Sequence, residues 1–213
     1  MVDLTSLTHL EIFKILSLAF LPNKPLKSMI ALEVMRIKSC EELTCLWEEG
    51  ANTANLARLR ELSIGSCPLL ASVTVELKSL VQLYIWSCPN FKLFPSGKLP
   101  ATLKILVIGD SKSRSLPEGL MDDKNGDNML QLEQLSLLRL ATRNLIPSDL
   151  LPLDHMSSLS TLTYLYIDQA EGLESFPESG QCMANLKRLY IFLIVRISSP
   201  YPIECTTSHL SNR

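Results

Sequence analysis

Apolar residues return along this chain in one spelling, L-x-x-L-x-I-x-x-C-x-x-L, with polar or variable residues between them. The pattern fits at Leu7-Leu10-Ile12-Ile15-Leu18, Leu32-Met35-Ile37-Cys40-Leu43, Leu59-Leu62-Ile64-Cys67-Leu70 and Leu80-Leu83-Ile85-Cys88-Phe91. Leu103-Leu106-Ile108-Ser111 and Leu132-Leu135-Leu137-Leu140 lose the final apolar position. Leu162-Leu165-Ile167-Ala170-Leu173 and Leu186-Leu189-Ile191-Ile194-Ile197 restore it. Successive starts lie 25, 27, 21, 23, 29, 30 and 24 residues apart, the spacing of a stacked repeat. The L-x-I centre has a period of two, so Leu and Ile share one face of a short strand and their neighbours share the other. One such strand cannot bury its apolar face alone. Eight of them, stacked as a parallel sheet, enclose a continuous core.

Period and wording together predict an α/β leucine-rich-repeat solenoid of about eight repeats over residues 1–197, with a non-repeat tail at 198–213. Strands about 4.8 Å apart are narrower than the segments that return between them, so the stack is expected to curve with the sheet on its concave face. The return segments are expected to be irregular or briefly helical. LFP at 93–95, SLP at 115–117, LIP at 145–147 and SFP at 175–177 place a proline after the strand. With no N–H and a fixed φ, proline suits a turn outside the ladder. The longer gaps hold polar insertions such as DDKNGDN at 122–128. With Gly126 as the turn glycine, the first position of a calcium loop would fall on Met121, so the ligand spacing fails and a solvated loop is the better reading.

Cys40, Cys67 and Cys88 occupy one template position in consecutive repeats. Neighbours in that column should stand about 5 Å apart, whereas two sulfurs on one zinc ion, each at about 2.3 Å, can be no more than about 4.6 Å apart. Equivalent Cβ vectors run parallel, which disfavours a disulfide. A small apolar side chain with a weak S–H donor aimed at a strand-end carbonyl fits the position, and Ile15, Ser111, Leu140, Ala170 and Ile194 stand there in other repeats.

Composition narrows the function classes. A net charge of −2 gives no sign of a nucleic-acid or anionic-membrane partner. No apolar run reaches the length of a membrane span; LYIFLIV at 189–195 is closed off by Arg188 and Arg196. Asp3 stands where a signal peptide wants positive charge, six cysteines are sparse for a disulfide scaffold, and no N-x-S/T sequon occurs. The expectation is a cytoplasmic protein. His9, His155 and His209 share no motif, and SGKLP at 96–100 has only the GK of a phosphate loop. No catalytic, cofactor or metal residues are assigned, and an enzyme is not expected, since a solenoid presents a surface rather than a closed pocket.

The outward positions flanking Leu and Ile number 24, and seven of the 13 aromatic residues fall there: Phe13, Tyr84, Trp86, Tyr164, Tyr166, Tyr190 and Phe192. An even spread would place one or two. Strand propensity accounts for part of the excess, but Tyr and Trp on an exposed sheet are also the residues that anchor protein interfaces. Tyr84, Trp86, Tyr164, Tyr166 and Tyr190 are the candidate partner-binding residues; Phe192 carries less weight at the end of the array. Basic Lys14, Arg36, Lys38, Arg139 and Arg188 are offset by Glu11, Glu61, Asp110 and Asp168.

The I-x-x-C-P-x-L strand, the L-x-x-F-P turn and the connector FPSGKLPATLKILVI at 94–108 resemble the repeat region of plant intracellular immune receptors. These are the nucleotide-binding leucine-rich-repeat (NLR) disease resistance proteins, here of the coiled-coil type. SLPEGLM at 115–121 and GLESFPE at 172–178 are similar as well, and the likeness covers about residues 4–197. It implies a plant-defense module that reads a pathogen effector or a guarded host protein and restrains the receptor's nucleotide-binding domain. ADP or ATP binding belongs to that other domain and not to these residues. A second reading is the substrate-recruiting arc of an F-box ubiquitin ligase, whose adaptor-binding helices should precede the repeats, where six residues precede Leu7. A secreted protease or polygalacturonase inhibitor is disfavoured by the same absences that argue against secretion.

Overall fold

A computed structural model of the chain describes residues 4–23, 27–48, 54–71, 73, 77–91, 99–110, 131–138, 160–168 and 184–192. Eight five-residue strands lie within them: β1 (His9–Phe13), β2 (Val34–Lys38), β3 (Glu61–Gly65), β4 (Gln82–Trp86), β5 (Ile105–Gly109), β6 (Gln134–Leu138), β7 (Tyr164–Asp168) and β8 (Arg188–Phe192). They form one sheet in chain order, and every neighbouring pair is parallel. The register follows the template without a slip. Leu10, Met35, Leu62, Leu83, Leu106, Leu135, Leu165 and Leu189 form one column, and Ile12, Ile37, Ile64, Ile85, Ile108, Leu137, Ile167 and Ile191 form the next. A slip of one residue would turn every Leu to water, so the apolar face fixes the pairing even where gaps between repeats differ.

Two tight turns bracket each of β1–β4, and the first of them also precedes β5. Before the strand, the N–H of Leu7, Leu32, Leu59, Leu80 and Leu103 donates back three residues, to the carbonyls of Leu4, Met29, Leu56, Leu77 and Pro100. After it, Leu18, Leu43, Leu70 and Phe91 donate to Ile15, Cys40, Cys67 and Cys88. Between strand and second turn, one residue takes a left-handed backbone: Lys14, Ser39, Ser66, Ser87 and Asp110, with φ of 51–56°. None is glycine, so each position bears the strain of a Cβ in that region. In return, each N–H reaches the strand-end carbonyl of the next repeat, for example Ser66 to Trp86 at 3.0 Å. That swing carries the following side chain inward, which is where the cysteines sit.

Cys40, Cys67 and Cys88 are fully buried. Their sulfurs point back at the carbonyls of Lys38, Gly65 and Trp86 at 3.7, 3.4 and 3.4 Å. The expected S–H to strand-end carbonyl contact is thus present in all three repeats. Hydrogen bonding with Cys67, then burial, pushes the Cys88 thiol well above its usual range, and burial pushes Cys40 up. The same hydrogen bond with Cys88 lowers the Cys67 thiol, to about 7, so the two flanking thiols hold their protons and the middle one is the more acidic.

Threonine and asparagine side chains tie several repeats to the one before. Thr44 Oγ1 donates to the Ala19 carbonyl, Asn90 Nδ2 to Pro68, Thr161 Oγ1 to Leu132 and Asn185 Nδ2 to Ser160. The described return segments are turns and bends, with a 3-10 turn at Ala54–Leu56 and helical backbone at Asn23. Almost no helix accompanies the sheet there, so among the described residues the solenoid is β in character and the α part of the expected class is not seen. Strand plus two turns uses most of a 21-residue repeat such as the one from Leu59 to Leu80, which leaves little chain for a helix. The proline turns, the DDKNGDN insertion and the 198–213 tail lie outside the described residues. Among the described residues, no helix is long and apolar enough to cross a membrane.

Candidate protein-binding face

The outward face of the sheet is three columns wide, and its charge is unevenly distributed. On β1–β3, Arg36 lies between two carboxylates, 2.9 Å from Glu11 on one side and 2.9 Å from Glu61 on the other. Hydrogen bonds to Glu11, then Glu61, hold its guanidinium above even the ordinary arginine range. Lys38 is committed elsewhere, with its Nζ 5.3 Å from the centre of the Trp86 ring. From β4 to β8 the same three columns carry only Arg188 and Asp168 as charges, one at each margin.

That second half is where the aromatic residues gather. Tyr164 and Tyr190 lie with ring centres 5.7 Å apart, Tyr190 and Tyr166 at 6.2 Å, and Tyr166 and Phe192 at 5.5 Å. All three pairs are tilted, at separations where ring edges meet ring faces. The chain of contacts zigzags between β7 and β8, since Tyr166 and Tyr190 are direct register partners. Three of the five candidate residues therefore form one cluster, and Phe192 completes it. Only the register shows this contact; Phe192 stands two residues after Tyr190, on the same face. Partial burial and then the charge of Asp168 raise the Tyr166 hydroxyl above its usual pKa.

Tyr84 and Trp86 stand apart from that cluster, on β4, with β5 and β6 between. Both are half-buried. The Tyr84 hydroxyl donates to Gln82 Oε1 at 3.0 Å, and burial, then Glu61, raises its pKa. Trp86 does not project. Its indole lies sideways over Gly65 of β3, where a Cβ would collide with Nε1 and Cε2. Lys38 closes over the ring from β2. Glycine is needed here because the neighbouring backbone must be approached closely. Sequence reasoning missed the arrangement, although its signal was present: Lys38, Gly65 and Trp86 share one column, and the middle member has no side chain. Leu138 leans over Gly109 in the same way, two strands on.

Between the two aromatic groups the floor is low and neutral, with Val107, Gly109 and Ser136 at its centre. Lys14 and Asp110 lie on the left-handed residue just past the strands rather than in the three columns. Arg139 lies outside the described residues. Among the described residues, no group of three or more His, Cys, Asp or Glu could hold a metal ion.

Compared with known proteins, the chain matches no family model, no curated protein and no solved structure. The functional reading therefore rests on this chain's own repeats and geometry.

Proposed function

We propose that this chain is a leucine-rich-repeat recognition module that binds a protein partner across β4–β8. It would serve as the sensing and autoinhibitory region of a plant intracellular immune receptor of the nucleotide-binding class. Its partners would be a pathogen effector or guarded host protein and, in the full receptor, the nucleotide-binding domain. The proposed action is binding rather than catalysis, in the cytoplasm. The repeat wording supports the receptor class. The observation that carries the binding face is the contact cluster of Tyr164, Tyr166, Tyr190 and Phe192 beside a floor nearly free of charge. Rigid aromatic side chains give large contact area at little cost in side-chain entropy, which is why they dominate interface hot spots.

The test is comparative. A partner recovered from plant tissue with the wild-type chain is titrated against Tyr166→Ala/Tyr190→Ala and against Glu41→Lys/Glu42→Lys, which alters the turn beyond the sheet. Loss of two anchors should weaken binding by roughly 30-fold or more, the equivalent of about 2 kcal/mol, while the turn variant stays near wild type. Equal affinity for the tyrosine variant, or loss confined to the turn variant, would remove the assignment.

A further inference from the structure

The outward columns of the eight strands hold three carboxylates, and two of them are answered within the chain. Glu11 and Glu61 each hold Arg36 at 2.9 Å. Asp168, the last residue of β7, is in none of the ion pairs among the described residues. Arg188 on the adjoining strand stands in register with Tyr164, four residues back along β7, or about 13 Å at the usual rise of a strand. A half-buried carboxylate without a counter-charge is the complement of a cation brought by another molecule.

The surroundings of Asp168 narrow what that cation is. It lies in register with Phe192 on β8 and Leu138 on β6, and Tyr166 projects from the same face two residues before it. The Tyr166 and Phe192 rings meet at 5.5 Å between centres, so two rings stand beside one carboxylate. Burial first, then the Asp168 charge, raises the Tyr166 hydroxyl, which puts carboxylate and ring within reach of one another. Leu138 turns the other way. Its Cδ1 comes within 3.4 Å of where a Cβ on Gly109 would stand, on the far side from Asp168. The chain shows the cation's half of such a contact in this same column, where Lys38 Nζ lies 5.3 Å from the centre of the Trp86 ring.

We infer that Asp168, Tyr166 and Phe192 take an arginine side chain from the protein that binds this face. The inference rests on the aromatic half of the sheet being the partner-binding surface, and it names what the partner presents there. A guanidinium can lay its plane on a ring while its N–H groups meet the carboxylate. A neutral side chain makes neither contact as well, and an ammonium group lacks the flat face and the fork of donors. Rings on one side of the pair keep water off it, which sets it apart from an ordinary surface ion pair. Asp168 is the one carboxylate in the outward columns of β4–β8, so the arginine has a single place to dock. It thereby fixes which end of the partner lies at the C-terminal ends of the strands.

Three probes of matched size, the acetylated amides of arginine, lysine and citrulline, test this on the full chain labelled with 3-fluorotyrosine. The arginine amide should shift the Tyr166 resonance saturably and bind at least about threefold more tightly than the lysine amide, while the neutral citrulline amide leaves the resonance in place. Asp168→Asn should abolish the shift at an unchanged melting temperature, whereas Asp110→Asn, just past β5, should keep it. No saturable shift with arginine, a shift that survives Asp168→Asn, or lysine or citrulline binding as tightly as arginine overturns the inference. In the titration with the recovered partner, Asp168→Asn should weaken binding about tenfold. A partner that is lost with Tyr166→Ala/Tyr190→Ala but kept with Asp168→Asn overturns the arginine site and leaves the binding face standing. One that is kept with both removes the face as well.

Discussion

Replacing Gly65 with alanine tests the outward face through the sign of one number. At an ordinary strand position alanine in place of glycine gains about 0.5–1 kcal/mol, because glycine has more chain entropy to lose. Here the added methyl would occupy the place of the Trp86 indole. The ring must lift off β3, which breaks its contact with Lys38, worth about 0.5–1 kcal/mol near a surface. Exposing roughly 60–80 Å² more of the indole costs about 1.5–2 kcal/mol at ~25 cal/mol per Å². After the gain is subtracted, Gly65→Ala should be about 1–2 kcal/mol less stable than wild type. The assay is urea unfolding in a Trp47→Phe background, which leaves Trp86 as the sole indole of the two in the chain. Its emission should shift to the red in the folded state of the alanine variant, and Lys38→Ala should then add no further loss. An alanine variant that is more stable, with unchanged emission, would refute the packing of Trp86 on Gly65.

Four further outcomes are expected. Trp86→Ala should itself cost about 1–3 kcal/mol in urea unfolding, within the usual range for losing a substantially buried contact, so it is a poor probe of binding alone. Cys67→Ser should cost on the order of 1–2 kcal/mol by placing a more polar hydroxyl in the core, and native metal content should be zero before and after. Because Cys40 and Cys88 are raised in the fold, their contribution is intact below about pH 8.5 and declines above it, whereas Cys67, lowered to about 7 chiefly by its hydrogen bond with Cys88, acts in the opposite direction. Cys88→Val removes the hydrogen bond behind both of the larger shifts, so the pH dependence of the melts through the thiol range should flatten. Arg36→Met should leave stability close to wild type, since both of its ion pairs lie near solvent, and any effect should shrink in salt.

What could be read from the sequence was whatever depends on position within one repeat. The L-x-I alternation fixes which residues face the core, so the Leu and Ile columns and the full register follow from spelling alone. The cysteine–carbonyl contact was readable for the same reason, because sulfur and acceptor are two residues apart. What depends on the neighbouring repeat was not. Trp86 reads as an exposed strand residue until Gly65 is placed beside it and Lys38 beyond. Tyr166 and Phe192 are 26 residues apart in sequence and touch only because β7 and β8 pair in register. The left-handed residues after β1–β5 had no signal either, since Lys, Ser and Asp fill a position that glycine would have marked.

The central claim is that the aromatic half of the sheet face meets the partner, and fluorine NMR reads those side chains directly. The chain has five tyrosines, so 3-fluorotyrosine labelling gives five resonances, assigned by single Tyr→Phe replacements. Titration with the recovered partner should shift those of Tyr164, Tyr166 and Tyr190 most, with Tyr84 following if the contact spans to β4. Saturable binding that leaves the Tyr164, Tyr166 and Tyr190 resonances where they were would contradict the account.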